Sequence, residues 1–432
     1  MKLYSTNDNK NIVELKEAVL NAFPKDRGLY MPLSFPKLDD RFLLNLEQMS
    51  FVDISCEIFS SLVQDYISDA DIQNIITKAL DFHIEYIELD KNLAVLELFH
   101  GPSLAFKDFG ARFMAELMSH FLKSDNSKRT ILVATSGDTG GAVAAGFHKV
   151  DNIDVVILYP SGKVSALQEK QLCCWGDNIR AVEIDGSFDD CQALVKEAFL
   201  DDELQSKYTF SSANSINIAR LIPQSFYYFE GYKHACKHSD SIVYAVPSGN
   251  FGNLTAGLIA QKMGLPIKRF IAATNINDTV PSYLETGHYV PKASVQTISN
   301  AMDVGDPSNF KRLLALHGST WNMVKENVIG ISITDEETRS CMKKVYNEHN
   351  YILDPHGAVG IKAVNKYHQQ NSNDLCVVLE TAHPSKFEST VEETLETKIS
   401  IPQRLESFRH KDKYSILCSK HFADFKELLM FE

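Results

Sequence analysis

The sequence predicts an α/β protein with parallel sheets flanked by helices in two subdomains, preceded by a helical N-terminal region. Three observations carry that prediction. From about residue 128, short runs rich in Val and Ile recur without polar alternation, as strands buried on both faces require. Each run ends in a Gly-, Ser- or Asp-bearing turn, and a helix-length amphipathic segment follows it. The alternation persists to about residue 382 with no internal repeat.

In order, RTILVAT reads as a strand, SGDTGG as a turn and AVAAGFHKV as a helix. DVVILYP is a strand and VSALQEKQLCCW a helix; IRAVEID is a strand, and SFDDCQALVKEAFL a helix that Ser187 can cap. NSINIARLIPQSFYYFEGYKHA is a turn running into a helix. SIVYAVP, SGNFGN and LTAGLIAQKMG repeat the strand, loop, helix order, and KRFIAAT, VIGISIT and DLCVVLETA supply later strands. Residues 1–95 are more polar and irregular and read as mostly helical. The expected division is 1–95, 96–235 and 236–432, with the charged tail 400–432 peripheral.

The 432 residues carry a net charge of −13, with 44% apolar and 23% charged residues, and no Lys/Arg run. That balance argues against nucleic acid or an anionic membrane as partner. The start, MKLYSTNDNKN, lacks an apolar stretch, and no run approaches the ~20 residues that span a bilayer. The eight cysteines are scattered, with no CxxC, so neither a disulfide framework nor a zinc site is expected. The expectation is a reduced, cytoplasmic protein without metal, in which binding of an anion needs local positive charge.

Three loops at strand ends, where ligands collect in such sheets, and one turn before a helix hold the candidate chemistry. In AVPSGNFGNLTAG, Gly249 and Gly252 let the backbone approach a ligand, and a helix start favours an anion. In TSGDTGG, Ser136, Asp138 and Thr139 bring hydroxyls, a carboxylate and N–H groups to another helix start. ETAHPSKF sets Thr381 at a strand end, and ANSINIAR gathers Ser215, Asn217 and Arg220, groups that suit a phosphate. Taken alone, TSGDTGG reads equally as a helix cap, the glycine loop and Thr381 read better as ordinary turns, and ANSINIAR also reads as a loop braced by side-chain hydrogen bonds.

Lys107, in FHGPSLAFKDFG, changes that balance. It lies between Phe106 and Asp108, with Phe109 following. Desolvation lowers a lysine pKa and makes its amine a nucleophile toward an aldehyde. Pyridoxal phosphate needs such a lysine, a glycine-rich phosphate cup and a partner for its ring nitrogen. Lys107, Gly249–Asn253 and Thr381 are candidates for the three.

Together FHGPSLAFKDFG, ATSGDTGGAVA, PSGNFGNLTAG, FIAATNINDTVP and ETAHPSKF resemble the threonine synthases, pyridoxal-phosphate enzymes of fold type II, like the tryptophan synthase β chain. DRGLYMP resembles that family's opening motif, and the likeness runs from about residue 4 to 390. It implies that Lys107 condenses with the cofactor aldehyde and acts as catalytic base. It implies Gly249, Asn250, Phe251, Gly252 and Asn253 as the phosphate cup and Thr381 as the ring-nitrogen partner. Ser136, Gly137, Asp138 and Thr139 would face the amino-acid end of the substrate, and Ser215, Asn217 and Arg220 its phosphate. The implied substrate is O-phospho-L-homoserine, converted with water to L-threonine and phosphate by γ-elimination and β-addition. A phospho-lyase giving a keto acid and a non-catalytic paralogue that binds the cofactor are the alternatives. Monomer and homodimer are both open.

Overall fold

The computed structural model describes residues 1–123 and 127–431. Its first strands are β1 (Lys2–Ser5), β2 (Ile12–Glu14) and β3 (Tyr30–Pro32), then β4 (Glu85–Asp90) and β5 (Leu93–Glu97). Next come β6 (Arg129–Ala134), β7 (Ile153–Pro160), β8 (Ile179–Asp185) and β9 (Phe210–Ser212). The last are β10 (Ile242–Pro247), β11 (Arg269–Thr274), β12 (Val328–Ser332), β13 (Leu375–Glu380) and β14 (Ser415–Ser419).

They make three sheets. The N-terminal one is antiparallel, ordered β2-β1-β3. The largest is ordered β12-β11-β10-β13-β5-β4 and is parallel except where β4 returns against β5. The third, β14-β8-β7-β6-β9, is parallel throughout. The continuous apolar runs have the cause expected of them: every residue of β10 and of β13 is buried. Ser187 caps its helix with a reciprocal box to Asp190.

Two expectations need correction. Helices outweigh strands in residues 1–95, as expected, but the segment also carries β1–β4 and the start of β5, so it is not set apart from the sheets that follow. β5 lies in the interior of the six-stranded sheet, paired in parallel with β13. The sheets therefore cross the expected boundaries at 96 and 236. Nor is the tail peripheral: β14 extends the five-stranded sheet through β8, and the helix Phe422–Met430 buries Phe425 and Leu429. Its apolar groups cover two surfaces: Leu405 packs with Leu104 and Leu167, and Cys418, Phe425 and Leu429 join the core around β8.

Parallel strands deliver their carboxyl ends to one side. The loops after β5, β6, β10 and β13 all reach one cavity, of about 330 Å³, which both large sheets line.

Candidate active site

Lys107 is the first residue of the helix Lys107–Leu122. Phe109, Phe113, Met114, Leu117, Met118 and Phe121 bury that helix at i, i+3 and i+4 spacing, which holds its start in place. The turn before it is clamped to the end of β13. Phe106 N–H donates to Thr381 O at 2.8 Å, and His383 N–H to Leu104 O at 3.0 Å. Leu104 takes a left-handed φ of 57°, which costs about 1–2 kcal/mol in a residue with a Cβ.

Lys107 borders the cavity and is half-buried. Its amine has no hydrogen-bond or ion-pair partner among the described residues and lies 4.9 Å from the Phe106 ring centroid. Burial depresses its pKa most; Asp138 opposes this, while Arg220 and Lys386 reinforce it. The result is an amine biased toward its neutral, nucleophilic form.

The loop Gly249–Asn253 supplies the cavity with backbone more than side chains. Phe251 adopts a left-handed φ of 60° and starts the helix Gly252–Lys262. A Cβ on Gly249 would stand 2.5 Å from Ala301 O, so this wall is closed to any side chain. The Asn250 side chain accepts from Ser308 N–H at 2.7 Å, and that of Asn253 donates to Pro247 O at 2.8 Å. The N–H groups of Gly249, Asn250, Phe251 and Gly252 have no acceptor within the protein among the described residues. Four free donors at a helix N-terminus fit a phosphate. With an unpaired lysine in the same cavity, the residues fit pyridoxal phosphate.

Thr381 also lines the cavity. Ser136, Asp138 and Thr139 line it from the start of the helix Asp138–Phe147. Gly137 does not: its N–H donates to Thr135 Oγ1 at 3.0 Å, and its φ of 136° requires glycine. It shapes the loop and has no donor left to offer.

The 213–220 loop divides. Ser215 lines the cavity and accepts from Asn309 Nδ2 at 3.0 Å. Arg220 lines it too, buried, with Nη1 donating to Ala213 O and Nε without a partner. Burial pushes its pKa down to about 10, with Asp108 opposing, so it stays cationic at neutral pH. Asn217 is a correction. It is fully buried and absent from the cavity wall; Oδ1 accepts from Ala219 N–H, and Nδ2 donates to Val19 O and Ser212 O. Every hydrogen-bonding atom of the amide is committed to capping and bracing.

Sequence reasoning passed over Lys386, Asp354 and His356. Lys386 Nζ lies 2.8 Å from Asp138 Oδ1, and both side chains are buried. With Lys107, and despite burial, it holds the Asp138 carboxyl well below the usual range. The available signal was a lysine inside the apolar segment PSKF, the same setting that marked Lys107. His356 lines the cavity, with Nδ1 on Asp354 Oδ2 and Nε2 accepting from Ala301 N–H at 3.3 Å. Nothing local in the sequence marks that wall. Asp303 on it is pushed up to about 6 by burial.

The chain is similar to known proteins along its whole length. Residues 85–381 match the family described as Pyridoxal-phosphate dependent enzyme, residues 2–80 that described as Threonine synthase N terminus, and residues 357–428 that described as Threonine synthase, C-terminal. A threonine synthase of Buchnera aphidicola subsp. Baizongia pistaciae is 43% identical, over 100% of this chain and 99% of that protein. The crystal structure of the Escherichia coli threonine synthase superposes with a TM-score of 0.94 at 42% identity, covering 100% of both chains. That of the PLP-bound threonine synthase of Brucella melitensis gives 0.92 at 33% identity, covering 100% of this chain and 99% of that one.

Proposed function

The chain belongs to the threonine synthases among the pyridoxal-phosphate-dependent enzymes, and on that premise we propose that it converts O-phospho-L-homoserine and water to L-threonine and phosphate in the cavity around Lys107. One observation carries this reading. An unpaired lysine, a loop with four free N–H groups and a buried, cationic arginine border a single cavity. A substrate with its own phosphate needs a second anion site beside that of the cofactor, and Arg220 supplies the charge for it.

Bound pyridoxal phosphate supplies an electron sink for negative charge at the substrate Cα. Lys107 holds the cofactor aldehyde, aided by the low basicity of its amine. When free, the Lys107 amine would serve as general base for the substrate Cα proton and would return protons later. The Gly249–Gly252 donors anchor the cofactor phosphate, so the reacting end stays at Lys107. Thr381 offers the ring nitrogen a neutral hydroxyl, which does not enforce a proton there as a carboxylate would. The N–H groups of Ser136, Asp138 and Thr139, without an acceptor among the described residues, receive the substrate carboxylate. Arg220, with Ser215, holds the phosphate that leaves Cγ; water supplies the hydroxyl at Cβ.

The test is a product assay with O-phospho-L-homoserine, measuring phosphate and identifying the organic product, with Lys107→Ala as control. Threonine equimolar with phosphate, abolished in the variant, is the expected result. Phosphate accompanied by a keto acid would make the protein a phospho-lyase. Cofactor binding without turnover would leave a non-catalytic paralogue.

A further inference from the structure

Two lysines share the surroundings of one buried carboxylate, and the geometry assigns that carboxylate to only one of them. Lys386 Nζ lies 2.8 Å from Asp138 Oδ1 and donates to Ser103 O at 2.8 Å. Its side chain is 0% exposed. Gln168 Nε2 donates to the same Asp138 oxygen at 2.9 Å, and Gln171 Nε2 to the same Ser103 carbonyl at 3.0 Å. Both glutamines stand on the helix Ala166–Cys173, capped by Ser165, whose Oγ donates to Lys386 O at 3.2 Å. Segments from both large sheets thus close one hydrogen-bonded ring around Asp138. Lys107 stands outside that ring, its amine without an acceptor among the described residues.

We infer that Lys386 is a positioning residue: it takes up the charge of Asp138 and so leaves the Lys107 amine free to be neutral and nucleophilic. The inference rests on the reading that Lys107 binds the cofactor. Its physics is a competition. A buried ammonium is costly unless an anion and hydrogen bonds satisfy it, and Asp138 can do that for one lysine only. Were Asp138 not already paired, its charge would hold a proton on Lys107. The other groups facing Lys107 are Arg220, which disfavours the proton, and Asp354, which favours it. Farther around the cavity stand Lys163, Asp189, Asp303 and His356. None of these substitutes for Lys386, which among the described residues alone makes an ion pair with Asp138.

The experiment is pulse labelling of the full-length, cofactor-free chain with acetic anhydride across a pH series. Acetylation of Lys107 is read by peptide mass spectrometry. Lys386→Met should raise the midpoint of Lys107 labelling by roughly 1–3 units, the range an uncompensated neighbouring charge produces. Lys386→Arg, which keeps the charge, should leave it in place. Asp138→Asn combined with Lys386→Met should return it close to that of the unsubstituted chain. An unmoved midpoint in Lys386→Met, or a shift that the double variant does not reverse, overturns the inference. If Lys386→Met does not fold, the double variant, which buries no lone charge, decides. A midpoint there more than about 1 unit from the unsubstituted value refutes the compensation. Borohydride reduction of the cofactor-loaded chain tests the underlying reading separately, since label on any residue but Lys107 removes that reading whatever the midpoints do.

Discussion

Asn217 and Arg220 stand three residues apart and look interchangeable in sequence as phosphate ligands, yet the structure commits the Asn217 amide to bracing the backbone and sets Arg220 on the cavity wall. Asn217→Ala removes a helix cap, worth about 1 kcal/mol, and leaves the buried carbonyls of Val19 and Ser212 without their amide donor. At about 1 kcal/mol for each carbonyl the loss is about 3 kcal/mol of stability. Urea unfolding followed by circular dichroism should show this as a lower midpoint at unchanged slope. Activity of the folded fraction, as kcat/KM, should remain within a few-fold. Arg220→Met does the reverse. It removes the buried guanidinium that borders the cavity, and the proposed contact to a phosphate dianion is worth about 3 kcal/mol, or roughly 100-fold in kcat/KM. A variant Asn217→Ala that unfolds normally but loses more than tenfold in kcat/KM would refute the assignment. So would Arg220→Met with unaltered kinetics.

Three further outcomes are expected. Burial raises the Asp108 pKa from 3.8 to about 6, so the stability this group contributes is complete below its unfolded value and is lost as pH rises through about 6. The difference is about 3 kcal/mol, so Asp108→Asn should flatten the fall in the unfolding midpoint between those pH values and unfold later than the parent above them. Gly249→Ala drives a methyl group toward Ala301 O, 2.5 Å away, and should weaken cofactor retention about tenfold or more in equilibrium dialysis. Thr381→Asp places a carboxylate where a neutral hydroxyl is proposed to meet the ring nitrogen. It should raise the ratio of keto acid to threonine, and an unchanged ratio counts against that role.

Much of the site was legible because its signals are local. A lysine among phenylalanines is an energetic anomaly visible in the chain itself, and Gly249 and Gly252 announce a backbone that must come close to something. Local signals also misled where one residue type serves two purposes. An asparagine before a helix is as good a cap as a ligand, and Asn217 proved to be a cap. Gly137 belongs to the right loop, but its donor is spent on Thr135.

By itself, the sequence determined the parallel α/β architecture, because strands buried on both faces must be apolar throughout, and it singled out Lys107 as the candidate nucleophile. The tertiary structure decided which distant groups meet. β5 enters the larger sheet beside β13 across more than two hundred residues, and β14 closes the other sheet from the tail. Lys386 reaches Asp138 only because the turn after β13 is clamped against the turn before Lys107. Pairings of that separation carry no periodicity and no spacing rule. They follow from which surfaces remain to be covered once the sheets have formed, and that is a property of the whole fold.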